Sequence, residues 1–237
     1  MSKDDHLPSK STISEITAFL DKVANIPVDK KPGQRGRLIF ALDATASRQP
    51  TWDRASHIQA EMFSETAALG GLEVQLCFYR GFGEFSHSPW YSRSDDLLKR
   101  MMRVFCLGGL TQIRKVLKHA IKEAKKQKVQ ALVFVGDCVE EDVDRLCRLG
   151  GELGLLGVPV FLFHEGNDRR AEQAFEQIAR LSNGACCPFN ADSPQQLKEL
   201  LSAVAVYVAG GRRALQDFSK GKADVVRLLV HQIGKRD

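Results

Sequence analysis

Short uninterrupted apolar runs recur along the chain, separated by longer segments in which apolar residues return every three or four positions. Leu38 to Leu42 (LIFAL), Ala131 to Val135 and Val158 to Phe163 have the length and composition of strands buried on both faces. Val74 to Tyr79 and the short Ala185 to Phe189 join them. The aromatic, Gly-rich stretch Arg80 to Tyr91 reads as a hairpin return, with Gly81-Phe-Gly83 as its turn and a second, antiparallel strand after it. Helical spacing marks Thr51 to Leu69, Asp95 to Phe105, Gln112 to Lys126, Glu140 to Leu149, Arg170 to Leu181 and Pro194 to Tyr207, the last capped by Asp192 or Ser193. Parallel neighbours need a crossover connection, so strands that alternate with helices of this length predict a doubly wound α/β domain. It has a mostly parallel central sheet, helices on both faces and one antiparallel edge strand.

The flanks read differently. Ser11 to Val23 is a short amphipathic helix carrying Ile13, Ile16, Phe19, Leu20 and Val23 at helical spacing, with Ser11 or Thr12 as its cap, and a Pro, Gly and Lys-rich linker follows. The expected division is therefore 1–36 as N-terminal helix and basic linker, 37–209 as the α/β domain, and 210–237 as a helical extension, in which Asp224 to Ile233 has helical character. A chain of 237 residues suits one large domain with short extensions. The net charge of +5 includes basic runs at Lys30 to Arg37 and Lys122 to Lys128, read as solvated faces or linkers, and is too mild to imply nucleic-acid binding. The N-terminus lacks the apolar core of a secretory signal, and no stretch approaches the ~18 to 20 apolar residues that span a bilayer, so a cytoplasmic protein without membrane contact is expected. The six cysteines form no CxxC pair or zinc spacing and read as reduced, mostly buried thiols.

In an open α/β sheet ligands collect at the carboxyl ends of the strands, so the loops after the apolar runs carry the candidate chemistry. After LIFAL comes Asp43-Ala-Thr45-Ala-Ser47, a carboxylate and two hydroxyls at alternate positions. Gly108-Gly109-Leu110-Thr111 brings a hydroxyl to a helix N-terminus, and Asp137 stands directly after the buried strand LVFVG. Two carboxylates and three hydroxyls at one edge make an oxygen-only site that suits Mg²⁺ or Mn²⁺ rather than Zn²⁺. With so few direct charges the ion is not fully neutralised, and a Glu or Asp from a partner protein can complete its shell.

This pattern resembles the metal-ion-dependent adhesion site (MIDAS) of von Willebrand factor A-type (VWA) domains: DxSxS, a Thr after a Gly pair, and an Asp after a central strand. Asp43, Thr45 and Ser47 match the first element, Thr111 the second and Asp137 the third, and the resemblance extends over roughly Arg37 to Val208. Thr45 departs from the usual Ser but keeps the hydroxyl, and Cys138-Val-Glu-Glu141 lacks the common Gly after the third element. The resemblance implies a Rossmann-like VWA fold and metal-dependent protein binding rather than catalysis. Asp43, Thr45, Ser47, Thr111 and Asp137 would hold the ion directly or through water. The implied partner is a protein presenting Asp or Glu, such as a ring-forming ATPase or another component of an intracellular assembly. Arg48, Trp52 and Arg80 would add charge and area around the ion.

Other readings compete. Asp43-Ala-Thr-Ala-Ser also resembles the phosphorylation motif of P-type ATPases, and Gly136-Asp137 with Glu140, Glu141 and Asp142 resembles the acidic motif of haloacid dehalogenase-like phosphatases. On that reading Asp43 is a nucleophile, Thr111 holds phosphate, Lys115 or Lys118 offsets its charge, and Asp137 with Asp142 binds Mg²⁺. Thr45 stands where such enzymes carry an acid, and it cannot donate a proton in that way. A structural alternative has Asp43 and Asp137 only capping helices or closing turns. His57 and His119 read as surface residues on helices, while His164 ends a strand at the same edge. The aromatics Trp52, Phe82, Phe85, Trp90 and Tyr91 suit a binding face or packing beneath the loops equally.

Overall fold

The computed structural model describes residues 18, 19, 22, 23, 35–189 and 194–233. The apolar runs form six strands: β1 (Gly36–Asp43), β2 (Leu72–Arg80), β3 (Glu84–Tyr91), β4 (Ala131–Gly136), β5 (Val160–Glu165) and β6 (Ala185–Phe189). Their spatial order is β3-β2-β1-β4-β5-β6, with β3 antiparallel to β2 and every other pairing parallel. The helices are α1 (Gln49–Thr66), α2 (Ser94–Met101), α3 (Ile113–Lys126), α4 (Val143–Leu155), α5 (Arg169–Leu181) and α6 (Pro194–Ile233).

Side-chain alternation divides the core in two. Leu38, Phe40 and Leu42 of β1 face one layer with Trp52 and Met62 of α1, Leu97 of α2 and Leu200 and Val204 of α6. Ile39 and Ala41 face the opposite layer with Val116 of α3, Leu146 of α4 and Phe175 of α5. Both faces of the sheet are thus covered, which is why its strands read as continuous apolar runs.

Two boundaries differ from the sequence expectation for identifiable reasons. α2 stops at Met101, whose carbonyl takes the Trp52 indole N–H at 3.1 Å. α4 starts only at Val143, capped by the Asp142 carboxylate on Arg145 N, because Glu140 and Glu141 are engaged elsewhere. The final helical stretch is two helices that meet at a kink at Gly211, with φ 76° and ψ −170°, beside the expected division at 209 and 210. The proposed caps Ser11, Thr12, Asp192 and Ser193, and the linker before Arg35, lie outside the described residues. Of the N-terminal segment, Phe19 and Val23 are buried, and Phe19 meets the rings of Phe161 and Phe163 edge-on at 6.2 and 5.6 Å.

Candidate metal centre

The chain leaves β1 for β2 on one side of the sheet and later enters β4 on the other, so the carboxyl ends of β1 and β4 flank the point where the winding reverses. Register then places the acids. Leu42 pairs with Val135, so Asp43 lies opposite Gly136 with Asp137 one residue beyond. Gly136 keeps the gap open: a Cβ there would stand 2.8 Å from the Phe134 ring and 3.8 Å from the Asp43 Cβ.

Asp43 is buried, at 3% exposure. Its Oδ1 accepts the Thr45 backbone N–H at 2.7 Å, the Thr45 side chain bonds the same carboxylate, and its Oδ2 accepts the Tyr79 hydroxyl at 3.0 Å. Burial pushes the Asp43 carboxyl above its ordinary range, the Asp137 charge adds to that, and the Thr45 and Tyr79 bonds act against it. Ser47 donates to Asp137 Oδ2 at 3.3 Å, joining the first element to the third.

The second element is locked to the third by a reciprocal exchange. Thr111 N donates to Glu140 Oε2 at 2.8 Å, and Glu140 N donates to Thr111 Oγ1 at 3.1 Å. Glu141 accepts from Ile113 N and Arg114 N, so the loop after β4 satisfies the open donors at the start of α3. Burial pushes the Glu141 carboxyl up, against those donated bonds. The acidic run that looked like a phosphatase motif is here a capping device. Lys115 is equally committed, donating to Gly83 O at 2.6 Å and Gln112 Oε1 at 2.8 Å, and Lys118 is exposed on the outer face of α3.

Two of the three residues expected to face a partner do not. Trp52 is buried at 2% exposure, edge-on to Phe78 at 5.6 Å. Arg48 is buried at 6%, with Nη2 2.9 Å from Glu165 Oε2 and Nη1 3.5 Å from Asp137 Oδ2. Both corrections have one cause: the chain turns into a 3-10 segment, Ala46–Arg48, at the end of the first motif and runs straight on into α1, which carries these side chains inward. Arg80 remains near the surface, where it pairs with Glu84 at 2.8 Å and donates to Phe105 O at 2.8 Å. Of the other aromatics, Phe85, Trp90 and Tyr91 lean on the two cores, whereas Phe82 is 87% exposed.

Tyr79 and Glu165 were not singled out from the sequence, and Glu140 and Glu141 were weighed only within the phosphatase-like acidic motif. Strand-end position was the signal for the first two, since Tyr79 is the register partner of Asp43 and Glu165 closes β5. His164, expected at this edge, bonds the Asp137 backbone, and burial holds its imidazole below the usual range. His119 is not a surface residue: it is buried against His87 and Gln75.

The donor set fits a hard divalent cation. Asp137 and Glu165 share the single guanidinium of Arg48, and both burial and the Asp137 charge oppose Asp43 ionisation, so negative charge is left over at this edge. Among the described residues no three His, Cys, Asp or Glu side chains converge as ligands, so the hydroxyls of Thr45, Ser47 and Thr111 would have to supply the rest.

No family model matches the chain, and no curated protein matches it either. Solved structures do. The SpRpn10 VWA domain is similar at 16% identity and TM-score 0.54, over 71% of this chain and 94% of that one. Proximal thread matrix protein 1 from the mussel byssus, with a zinc-occupied MIDAS motif, is similar at 16% identity and TM-score 0.55, over 72% of this chain and 48% of that one. The D319A mutant of the PilB minor pilin from Streptococcus sanguinis is similar at 11% identity and TM-score 0.57, over 80% of this chain and 64% of that one. The chain thus spans less than two thirds of the pilin and about half of the thread protein. At these identities the likeness is one of fold. The chain has a VWA-like fold of the Rossmann-like α/β class.

Proposed function

Starting from a VWA-like fold, we propose that the chain is a metal-dependent protein-interaction module whose site is built from Asp43, Thr45, Ser47, Thr111 and Asp137. The observation that carries this reading is the meeting of Asp43 and Asp137 at the winding reversal, with the Ser47 hydroxyl on Asp137 at 3.3 Å. A bound Mg²⁺ or Mn²⁺ supplies an electrophilic position that a partner's Asp or Glu carboxylate can take. The protein's own residues do the rest. Tyr79 and Thr45 fix the Asp43 carboxylate, and the Thr111–Glu140 exchange holds the second loop against the third.

The surroundings favour binding over turnover. Phe82, Met102, Phe105, Leu107 and Leu110 are exposed on two neighbouring loops at this edge of the sheet. Leu107 N donates to Ala44 O at 2.9 Å, one residue from Asp43, so the apolar rim borders the site directly. Exposed apolar groups beside an anchoring charge suit a protein partner. The phosphatase alternative finds no support: Lys115 and Glu141 are spent on loop and helix contacts, Asp142 caps α4, and Thr45 bonds Asp43 where an acid would be needed. No described helix is long and apolar enough to cross a membrane. The partner is proposed to be a component of a cytoplasmic assembly, such as a ring-forming ATPase, that presents an acidic side chain.

Calorimetric titration of the chelator-treated protein with Mg²⁺ and Mn²⁺, beside Asp137→Ala, tests this. One saturable site in the parent and none in the variant is the expected outcome; heats that are identical in the two proteins would defeat the reading.

A further inference from the structure

Arg48 is a cation placed inside the candidate metal centre by the chain itself. It follows Ser47, the last residue of the first motif, and its side chain turns inward to lie between the ends of β4 and β5. Its contacts on the two sides are unequal. Toward β5, Nη2 reaches Glu165 Oε2 at 2.9 Å and Thr51 Oγ1 at 3.3 Å, and Thr51 donates in turn to the same Glu165 oxygen. Toward β4, Nη1 stands 3.5 Å from Asp137 Oδ2, too far for a good hydrogen bond, and both Nη1 and Nε are buried with no hydrogen-bond partner. Ser47 donates to that same Asp137 oxygen.

A guanidinium carries five donors in a rigid fork, and burying it with two arms unsatisfied is costly unless something holds it there. Glu165 and Thr51 supply that hold. Glu165 therefore restrains Arg48 short of Asp137, leaving the Asp137 carboxylate only partly claimed and available to another cation.

We propose that Arg48 is the affinity-setting residue of this centre: it competes with the divalent ion for Asp137, and Glu165 limits the competition by drawing the guanidinium toward β5. The proposal rests on the metal-binding reading above. It makes the two members of one buried ion pair act in opposite directions on metal affinity, which a purely structural pair would not do.

Mn²⁺ titration of the full chain, with a thermal scan of each protein, tests it in three variants. Glu165→Gln frees Arg48 to close on Asp137 and is expected to weaken Mn²⁺ binding by at least roughly tenfold, the lower end of what one close charge interaction near a protein surface gives. Arg48→Met combined with Glu165→Gln replaces the pair by neutral side chains and leaves the net charge unchanged, so long-range electrostatics and an unpaired buried charge are both avoided. It is expected to bind Mn²⁺ roughly tenfold more tightly than the parent, because Asp137 has lost its internal competitor. Asp137→Ala should not bind. If the parent binds, Asp137→Ala does not, and the double variant matches the parent or binds more weakly, the role of Arg48 is overturned while the metal reading stands. If no protein in the series binds Mn²⁺, both fall together.

Discussion

His119 sits on α3 among lysines and is nevertheless buried, with its ring stacked on His87 at 4.3 Å and Nε2 2.8 Å from Gln75 Oε1. Burial and the neighbouring His87, Lys126 and Lys122 charges push its pKa down to about 4, against the opposing pull of Glu123. The folded state thus favours the neutral ring. The unfolded chain binds the extra proton between about 6.5 and about 4, so this group's stabilising contribution is present above that window and is lost as pH falls through it. Thermal midpoints should drop as pH is lowered from 6.5 toward 4, and His119→Gln, which cannot titrate, should flatten the drop. An unchanged slope in the variant would assign the acid sensitivity elsewhere. Helical spacing alone marked His119 as polar surface, because its cover comes from β2 and β3, strands distant in sequence. Asp43, Ser47 and Asp137 were legible for the converse reason. Asp43 and Asp137 stand where an apolar run stops and Ser47 lies at alternate spacing from Asp43, and both signals are local information.

At the scale of elements, the loop between α2 and α3 sets how the apolar rim meets the candidate centre. Gly81 N donates to Leu107 O at 3.2 Å and Leu110 N to Gly81 O at 3.3 Å, so the loop runs against the β2–β3 turn. The approach needs Gly109, where any Cβ would overlap the Gly81 carbonyl. Gly109→Ala should push the loop away from the turn and weaken Mn²⁺ and partner binding several-fold. The sheet should keep its thermal midpoint within a few degrees, since Gly109 itself lies outside both cores. A variant that binds like the parent would detach the loop from the site's geometry. The Gly pair read as a flexible approach to Thr111, but the reason for Gly109, backbone contact with Gly81, involves two segments that only meet in the folded chain. The same holds for the start of α4, which depends on where Glu140 and Glu141 are used.

Across the whole molecule, Phe19 and Val23 belong to the same core as the sheet. Phe19 fills the layer over β5, touching Phe161 and Phe163, and Val23 is fully buried. Phe19→Ala should cost about 3 kcal/mol of unfolding free energy, measured by denaturant titration, through lost apolar burial and the cavity left behind. A cost within ~0.5 kcal/mol, as for a surface substitution, would show that Phe19 does not share the core. The sequence by itself determined the α/β alternation, the parallel sheet and the positions of the candidate oxygens. Those follow from apolar periodicity and from the rule that buried strands end where polar loops begin. Only the tertiary structure decided that Trp52 and Arg48 point inward, that Tyr79 and Glu165 join the centre, and that the acidic run after Asp137 caps a helix. These depend on strand register and on side chains separated by tens of residues, for which local pattern carries no signal.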